Sequence, residues 1–284
     1  MISKNRPIIK RYISEVGAFE DIQSDFRFLI DKIRQSGFEY DLQIRDNYFN
    51  LYYKGNSIGK IRYKKGYGHY KIRIHHLFID DKIKNRFNPA LKDRYLTFTI
   101  PRKQLHPLFS SQNLKSMASK VKKVDFQEEI IYEQILMTDN INRDDFLIID
   151  RQVMDKISRT KMDLLALRRK NGNEFQFCVL EVKLGNNPEL EGDVITQLKG
   201  YVGKIETHFE DYKKCYEQNF IQKQKLGLID KPSKIEITNG VIGAIVVLGY
   251  SGMAKQSIQK LKQIDPSVIV IQLSNRIDIK KLTH

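Results

Sequence analysis

The chain has 284 residues, of which 41% are hydrophobic, so it is long enough for two domains and can bury a core, which excludes overall disorder. Its longest apolar run, Val241 to Leu248, is too short to cross a bilayer, and the polar stretch from Met1 to Lys10 does not resemble a signal peptide, so we expect a cytoplasmic protein. The net charge of +15 favours DNA or RNA over a membrane as the partner, although a lysine-rich proteome would also explain it.

The first part of the chain predicts a helix followed by an antiparallel meander. Apolar residues recur at helical spacing between Ile22 and Ile33, and Gly37 ends the pattern. Four stretches separated by turn-forming residues then have the composition of strands: 48–53, 57–63, 69–77 and 91–100. Together these elements predict a small α+β domain.

The predicted meander has one apolar face and one basic face. In the stretch 69–77, apolar and basic residues alternate with a strict period of two. The outward positions of this stretch and of the strand before it carry Lys60, Arg62, Lys71 and Arg73. Such a row is suited to following a phosphate backbone, and we predict that these residues bind nucleic acid. The alternative is an ordinary solvated face, because the outer face of a sheet is charged in most proteins.

The chain then changes character and predicts a second domain. Residues 101–123 are polar and basic, which indicates a connector, and we expect the boundary near Ser116, giving domains 1–116 and 117–284. The stretch from Phe126 to Met137 has the pattern of a helix. A first core strand is expected over 146–153.

A hairpin follows, made of two apolar strands, 161–169 and 175–183. The Asn171-Gly172 pair between them favours a tight turn. A three-residue loop, Asn171 to Asn173, would place Asp163 directly opposite Glu181 on the same face of the sheet. The hairpin therefore predicts two carboxylates in close contact.

The second strand of this hairpin ends on charged residues. Glu181 and Lys183 are two positions apart, so on a strand their side chains point the same way. Charge at the edge of a core is costly unless it is paired or bound to a metal. Two carboxylates on one face suit a hard divalent cation such as Mg²⁺.

The remaining elements predict a mixed α/β domain. A helical pattern begins near Asp193 and extends to about Leu226, long or broken, with Gln197 and Tyr201 on one face. Further elements follow: a buried strand over 240–249, a helix over 254–264 and a buried strand over 268–273. This order of elements predicts a mixed sheet flanked by helices.

Asp163, then Glu181-Val182-Lys183, then Gln197-x-x-x-Tyr201 resemble the PD-(D/E)XK nuclease superfamily, and in particular the branch with a Gln-x-x-x-Tyr helix. The resemblance covers roughly Val121 to Leu273, and it departs from the family at Met162, where the family has a proline before its aspartate. It implies a restriction-endonuclease-like α/β fold for the second domain, beside the smaller N-terminal α+β domain.

The resemblance also implies roles for individual residues. Asp163 and Glu181 would hold Mg²⁺ or Mn²⁺, Lys183 would assist the attacking water, and Gln197 and Tyr201 would support the site and the scissile phosphate. The family often adds a glutamate from the helix before the sheet; Glu129 is preferred for this metal position, with Glu128 and Glu133 left open.

The sequence thus predicts a Mg²⁺- or Mn²⁺-dependent nuclease that acts on DNA, with RNA less favoured, in phage defence or in DNA repair and recombination. Lys199 on the Gln197 helix is predicted to approach DNA, with a solvated helix face as the alternative. The competing hypothesis is a non-catalytic nucleic-acid-binding or adaptor subunit that keeps the nuclease fold. A homodimer and a protein partner in a defence or repair complex both stay open.

Overall fold

A computed structural model describes residues 7–124, 128–156 and 160–273, and these divide into two compact units. The antiparallel-sheet unit comprises the described residues of 10–142 and 214–231, and the mixed-sheet unit comprises those of 7–9, 143–213 and 232–273. The main division along the chain lies between Asn142 and Arg143, further along than the boundary expected near Ser116.

The antiparallel-sheet unit begins with a helix and builds a six-stranded sheet of order β1-β2-β3-β4-β6-β5. Its helices are α1 (Ala18–Gln35), α2 (Asp81–Phe87), α3 (Leu105–Leu108), α4 (Ser111–Val124) and α5 (Glu128–Asp139). Its strands are β1 (Tyr40–Arg45), β2 (Tyr48–Tyr53), β3 (Asn56–Lys64), β4 (His69–His75), β5 (Ala90–Lys92) and β6 (Tyr95–Pro101). All pairings are antiparallel.

Apolar side chains from α1 and from one side of the sheet form the core of this unit. Phe26 of α1 is fully buried, and its ring meets that of Phe49 on β2 edge to face at 4.8 Å between centroids. Leu114, Met117 and Val121 of α4 join the same core. The predicted helix and strands are confirmed here, whereas the connector expected over 101–123 is wrong because it forms α3 and α4.

The mixed-sheet unit contains a five-stranded sheet of order β11-β10-β9-β8-β7. Its strands are β7 (Phe146–Met154), β8 (Lys161–Asn171), β9 (Glu174–Leu184), β10 (Glu236–Leu248) and β11 (Ile269–Leu273). Strands β7, β8 and β9 pair antiparallel, and β9, β10 and β11 pair parallel. The helices that follow β9 and β10 are α6 (Asp193–Thr207), α7 (Phe209–Lys225, which continues into the other unit) and α8 (Ser251–Ile264).

The order of elements agrees with the prediction of a mixed sheet flanked by helices. The helix expected between Asp193 and Leu226 is broken at His208. The strand over 268–273 was expected to be buried, which is wrong for Ile269 and Ile271, whose side chains are 44% and 41% exposed, and right for Val268, which is 7% exposed. The strand lies at an edge of the sheet, which leaves it less covered.

The β8–β9 hairpin has the register expected from the sequence. Pairing runs from Leu164 opposite Leu180 to Arg169 opposite Phe175. The three-residue loop is wrong, since β8 continues to Asn171, which pairs with Glu174 after a register shift. That irregularity lies at the turn, so it does not change which residues face each other at the other end of the hairpin.

In the part of the chain that the structure describes, we find no helix with the length and apolar composition needed to cross a membrane.

Helix α6 lies close against β10 at Gly243, where a side chain has no room. A Cβ atom there would lie 2.9 Å from both Leu198 Cγ and Val202 Cγ2. We expect Gly243→Ala to lower the free energy of unfolding by about 1–3 kcal/mol, because overpacking must displace the helix. Denaturant unfolding monitored by circular dichroism measures this.

Gly200→Ala is the matched control for that substitution, since Gly200 is on α6 and no atom lies within 4 Å of its Cβ position. Its expected effect is neutral or stabilising by up to about 1 kcal/mol, from helix propensity. Equal stability of the Gly243→Ala variant and the wild type would contradict the close packing of α6 on β10.

Candidate functional site

Strand β9 lies at the centre of the mixed sheet and carries two buried charges at its end. β8 pairs with one edge of β9 and β10 with the other. Between Phe177 and Val182 every residue of the strand is buried, and all except Glu181 are apolar. Glu181 is 1% exposed, and Lys183, which follows Val182, is 6% exposed. Such burial demands local partners for both charges, because water cannot solvate them.

Asp163 provides the first contact, from the start of β8. Its Oδ2 accepts a hydrogen bond of 2.9 Å from the backbone N–H of Val182. The carboxyl groups of Asp163 and Glu181 are also close enough for a hydrogen bond between them. The predicted meeting of the two carboxylates across the hairpin is thus confirmed, and the neighbouring amide fixes one of them.

Lys183 lies between two glutamates. Its Nζ is 3.0 Å from Glu181 Oε1 and 2.6 Å from Glu189 Oε2. Burial lowers the pKa of Lys183, but the hydrogen bond with Glu189 and the charge of Glu181 outweigh that effect, so its pKa is raised. The amine is therefore held as a cation at neutral pH.

Glu189 is a site residue that the sequence did not single out. It belongs to a short 3₁₀ turn, Pro188–Glu191, and the Asn187 side chain accepts a hydrogen bond from its backbone N–H. The sequence does indicate a loop beside the strand end, because turn-forming residues follow Lys183. Which acid of that loop reaches the lysine depends on how the turn folds back.

Glu181 has one oxygen in the ion pair and one without a donor. Burial raises the pKa of Glu181 above its usual range, and the attraction of Lys183 and the hydrogen bond with Asp163 offset only part of that shift. Its Oε2 is buried, and among the described residues it has no hydrogen-bond partner. A buried carboxylate oxygen in this state has capacity for a proton or a cation.

Gln197 and Tyr201 connect α6 to the start of β8. Gln197 Nε2 donates to Tyr201 Oη at 3.0 Å, and Tyr201 Oη donates to the carbonyl oxygen of Lys161 at 3.0 Å. Burial raises the pKa of Tyr201; the bond with Gln197 opposes this, and the charges of Glu181 and Asp163 add to it. The five residues predicted to be catalytic thus lie in one region of the mixed-sheet unit.

Other residues predicted for the site lie elsewhere. Glu129, the preferred third metal ligand, is on α5 of the antiparallel-sheet unit, so its role stays a prediction. Lys199 forms an ion pair of 2.8 Å with Asp265 and remains largely exposed. Asp150, on the strand before the hairpin, is fully buried, and its Oδ1 accepts from the N–H of Arg151.

The chemistry of Asp163 and Glu181 fits a divalent metal, although the donor set is small. No group of three or more His, Cys, Asp and Glu side chains in residues 7–124, 128–156 and 160–273 is arranged to hold a metal ion. Mg²⁺ needs only one or two carboxylates in proteins, because it keeps several of its waters. The buried free oxygen of Glu181 is consistent with such a ligand.

Comparisons with protein-family models, with curated proteins and with solved structures found no match for this chain. Its function must therefore be inferred from its own residues and fold.

The contact between Glu189 and Lys183 can be tested through the pKa of the lysine. We expect Glu189→Gln to lower the pKa of Lys183, because the variant loses the strongest of the interactions that raise it. Folded-state stability that depends on the charged lysine is present at lower pH and is lost as pH rises through the folded pKa, so it should be lost at lower pH in the variant.

Titration of the Lys183 ¹³Cε resonance, assigned with Lys183→Arg, measures this shift. Glu191→Gln is the control, since Glu191 pairs with Lys260 at 3.1 Å on the surface and should leave Lys183 unchanged. An identical titration of Lys183 in the wild type and in Glu189→Gln would rule out the ion pair in solution.

Proposed function

We propose that the mixed-sheet unit is a metal-dependent nuclease of the PD-(D/E)XK superfamily, in its Gln-x-x-x-Tyr branch, which hydrolyses phosphodiester bonds in DNA. One observation carries the proposal: Asp163, Glu181 and Lys183 converge at the end of the central hairpin, with Lys183 Nζ 3.0 Å from Glu181. Three buried or half-buried charged groups in contact are costly for stability alone, and such sites are frequently functional.

The strand order supports the restriction-endonuclease-like fold. An antiparallel run of β7, β8 and β9 is followed by the helices α6 and α7 and then by β10, which pairs parallel to β9. This is the order that the resemblance implies. The site lies where the start of β8 meets the end of β9.

The metal position in this proposal is formed by Asp163 and Glu181, both within the mixed-sheet unit. Mg²⁺ or Mn²⁺ bound there would supply Lewis acidity toward a phosphodiester and an activated water. Asp163 is oriented for this task by the Val182 amide, which donates a hydrogen bond of 2.9 Å to its Oδ2. The second oxygen of Glu181 completes the pair.

Lys183 supplies positive charge in this mechanism. Its ammonium group orients the attacking water or offsets negative charge that grows on the phosphorus centre. Lys183 Nζ is bound to both Glu181 and Glu189, so one of these ion pairs must open before Lys183 can contact a substrate. Glu189 is the partner it can release, because that side chain is 46% exposed whereas Glu181 is buried.

Tyr201 and Gln197 act as positioning groups. Their hydrogen bonds fix α6 against the Lys161 carbonyl, two residues before Asp163. Both are neutral, and the Gln197 amide has a second N–H, so Gln197 can also donate to a phosphate oxygen without changing the charge of the site.

The two ion pairs of Lys183 also favour the second hypothesis, a nucleic-acid-binding or adaptor subunit without catalysis. A lysine neutralised by Glu181 and Glu189 is not available to a substrate unless one pair opens. Metal binding separates the two hypotheses.

We expect Asp163→Asn and Glu181→Gln to reduce Mn²⁺-dependent DNA cleavage by at least about 100-fold, because each removes a charged metal ligand. The assay uses linear, circular, single-stranded and branched DNA with Mn²⁺. Isothermal calorimetry should show Mn²⁺ binding to the wild type and a loss of that binding in both variants. Glu174→Gln is the control, since Glu174 is exposed at the other end of β9.

Cleavage that persists in both variants would refute the nuclease site. A wild-type protein that binds DNA but neither binds Mn²⁺ nor cleaves would support the adaptor hypothesis instead.

Tyr201→Phe tests the positioning role. It removes both hydrogen bonds of the hydroxyl, so we expect a loss of about 0.5–1.5 kcal/mol for each bond in the free energy of unfolding, and roughly 10- to 100-fold lower cleavage. Tyr250→Phe, at a tyrosine 49% exposed, is the control and should change neither. A stability loss with full cleavage activity would limit Tyr201 to a structural role.

A further inference from the structure

The outer side of the antiparallel sheet carries a basic surface, which we call the basic face: Lys60, Arg62, Lys71 and Arg73. The intervening residues of β3 and β4 point into the core, as Ile61 and Ile72 do, so the four cations share the opposite side. Lys71 and Arg73 are exposed, and Lys60 and Arg62 are half-buried. The alternation predicted from sequence is thus confirmed for β4.

Part of the same side of the sheet is covered within this unit. Gln43 and Arg45 on β1 are only 2% and 3% exposed. Gln43 Oε1 accepts a hydrogen bond from Lys223 Nζ of α7 at 2.6 Å. The side chains over β1 therefore have protein partners, in contrast to those over β3 and β4.

Among the described residues, the basic face has no ion pair that would neutralise its cations. Lys60 is paired directly opposite Arg73, and Arg62 directly opposite Lys71. Among the side chains that the structure describes, no carboxylate lies within 4 Å of these four cations. Like charges directly opposite each other on a sheet are destabilising. Four cations in this arrangement indicate a surface suited to an anionic ligand.

Lys60 shows the effect of this crowding. Burial lowers the pKa of Lys60, and the positive charges of Arg62 and Arg73 lower it further. Asp46 is the acid that acts against this shift, and it is itself paired with Lys10 at 3.0 Å. An anion bound between these groups would relieve the repulsion.

Aromatic rings hold the cations in place without neutralising them. Lys60 Nζ lies 3.7 Å from the centroid of the Tyr48 ring, and Arg73 Cζ lies 4.8 Å from that of Tyr95. The Nε of Arg62 is buried and has no hydrogen-bond partner in the described part of the chain. Cation–π contacts orient side chains while leaving their charge available.

A concavity of about 570 Å³ adjoins the basic face. Its lining includes Lys60 and Arg73 together with Arg94, His75 and Tyr95. The cavity therefore extends the positive surface from β3 across β4 to the start of β6.

We propose that the basic face and this concavity bind the phosphodiester backbone of nucleic acid, independently of base sequence. The four side chains are cationic donors, which contact phosphates and carry no sequence information by themselves. This is a binding site in addition to the cleavage site proposed above, and it does not depend on catalysis.

The test compares two variants with equal net charge. In the face variant, Lys60, Arg62, Lys71 and Arg73 are all replaced by Gln. In the control variant, four exposed cations of the same unit are replaced by Gln: Lys82, Arg86, Lys103 and Lys115. Fluorescence anisotropy measures the Kd for a labelled 30-base-pair DNA duplex and for a 30-nucleotide single strand, in EDTA and at 50–250 mM NaCl.

We expect the face variant to bind at least tenfold more weakly at 150 mM NaCl, and its log–log salt slope to fall by roughly 0.9 for each lost duplex phosphate contact. The control variant should weaken less than twofold. Equal weakening of both variants, or unchanged binding by the face variant, would overturn the proposal.

Thermal unfolding provides the folding control. We expect the face variant to unfold at or above the wild-type temperature, because two opposed like-charge pairs are removed. If it fails to fold, the double substitution Lys71→Gln/Arg73→Gln, at two exposed positions, is compared with Lys103→Gln/Lys115→Gln by the same criteria. Anisotropy in EDTA measures binding without cleavage, so a failed cleavage test and a failed binding test give different results.

Discussion

The central strand of the mixed-sheet unit ends on two buried charges, and the structure around it must supply partners for both. Glu181 and Lys183 are 1% and 6% exposed, and they meet at 3.0 Å. Removing one partner of a buried ion pair typically leaves a costly uncompensated charge. Asp163 and Glu189 surround this pair, so the same contacts that keep the strand end stable also concentrate acids and a cation at one position.

The packing of α6 connects this position to the rest of the unit. Gly243 allows the helix to approach β10 closely, and Tyr201 bonds to the Lys161 carbonyl on β8. One helix thus contacts both the parallel and the antiparallel parts of the sheet. The charged residues of the antiparallel-sheet unit differ from this site in their partners. Lys60 and Arg73 of the basic face contact aromatic rings, whereas Lys183 contacts carboxylates.

Several errors in the prediction have a common physical origin. In α4, Leu114, Met117 and Val121 follow helical spacing, but frequent lysines between them made the stretch resemble a connector. The exposure of β11 follows from its edge position, which its apolar composition does not disclose. In both cases the composition of a segment indicated how polar the segment is, but not where it packs in the fold.

The sequence by itself determined the hairpin and, through it, the meeting of Asp163 with Glu181, because strand alternation and a tight turn constrain register locally. It also determined the helical spacing of Gln197 and Tyr201. Only the tertiary structure decided that Glu189 reaches Lys183, and that Tyr201 bonds to the Lys161 carbonyl on another element. The first contact depends on how the turn after β9 folds back onto the strand end, and the second joins elements 40 residues apart, so local pattern alone sets neither geometry.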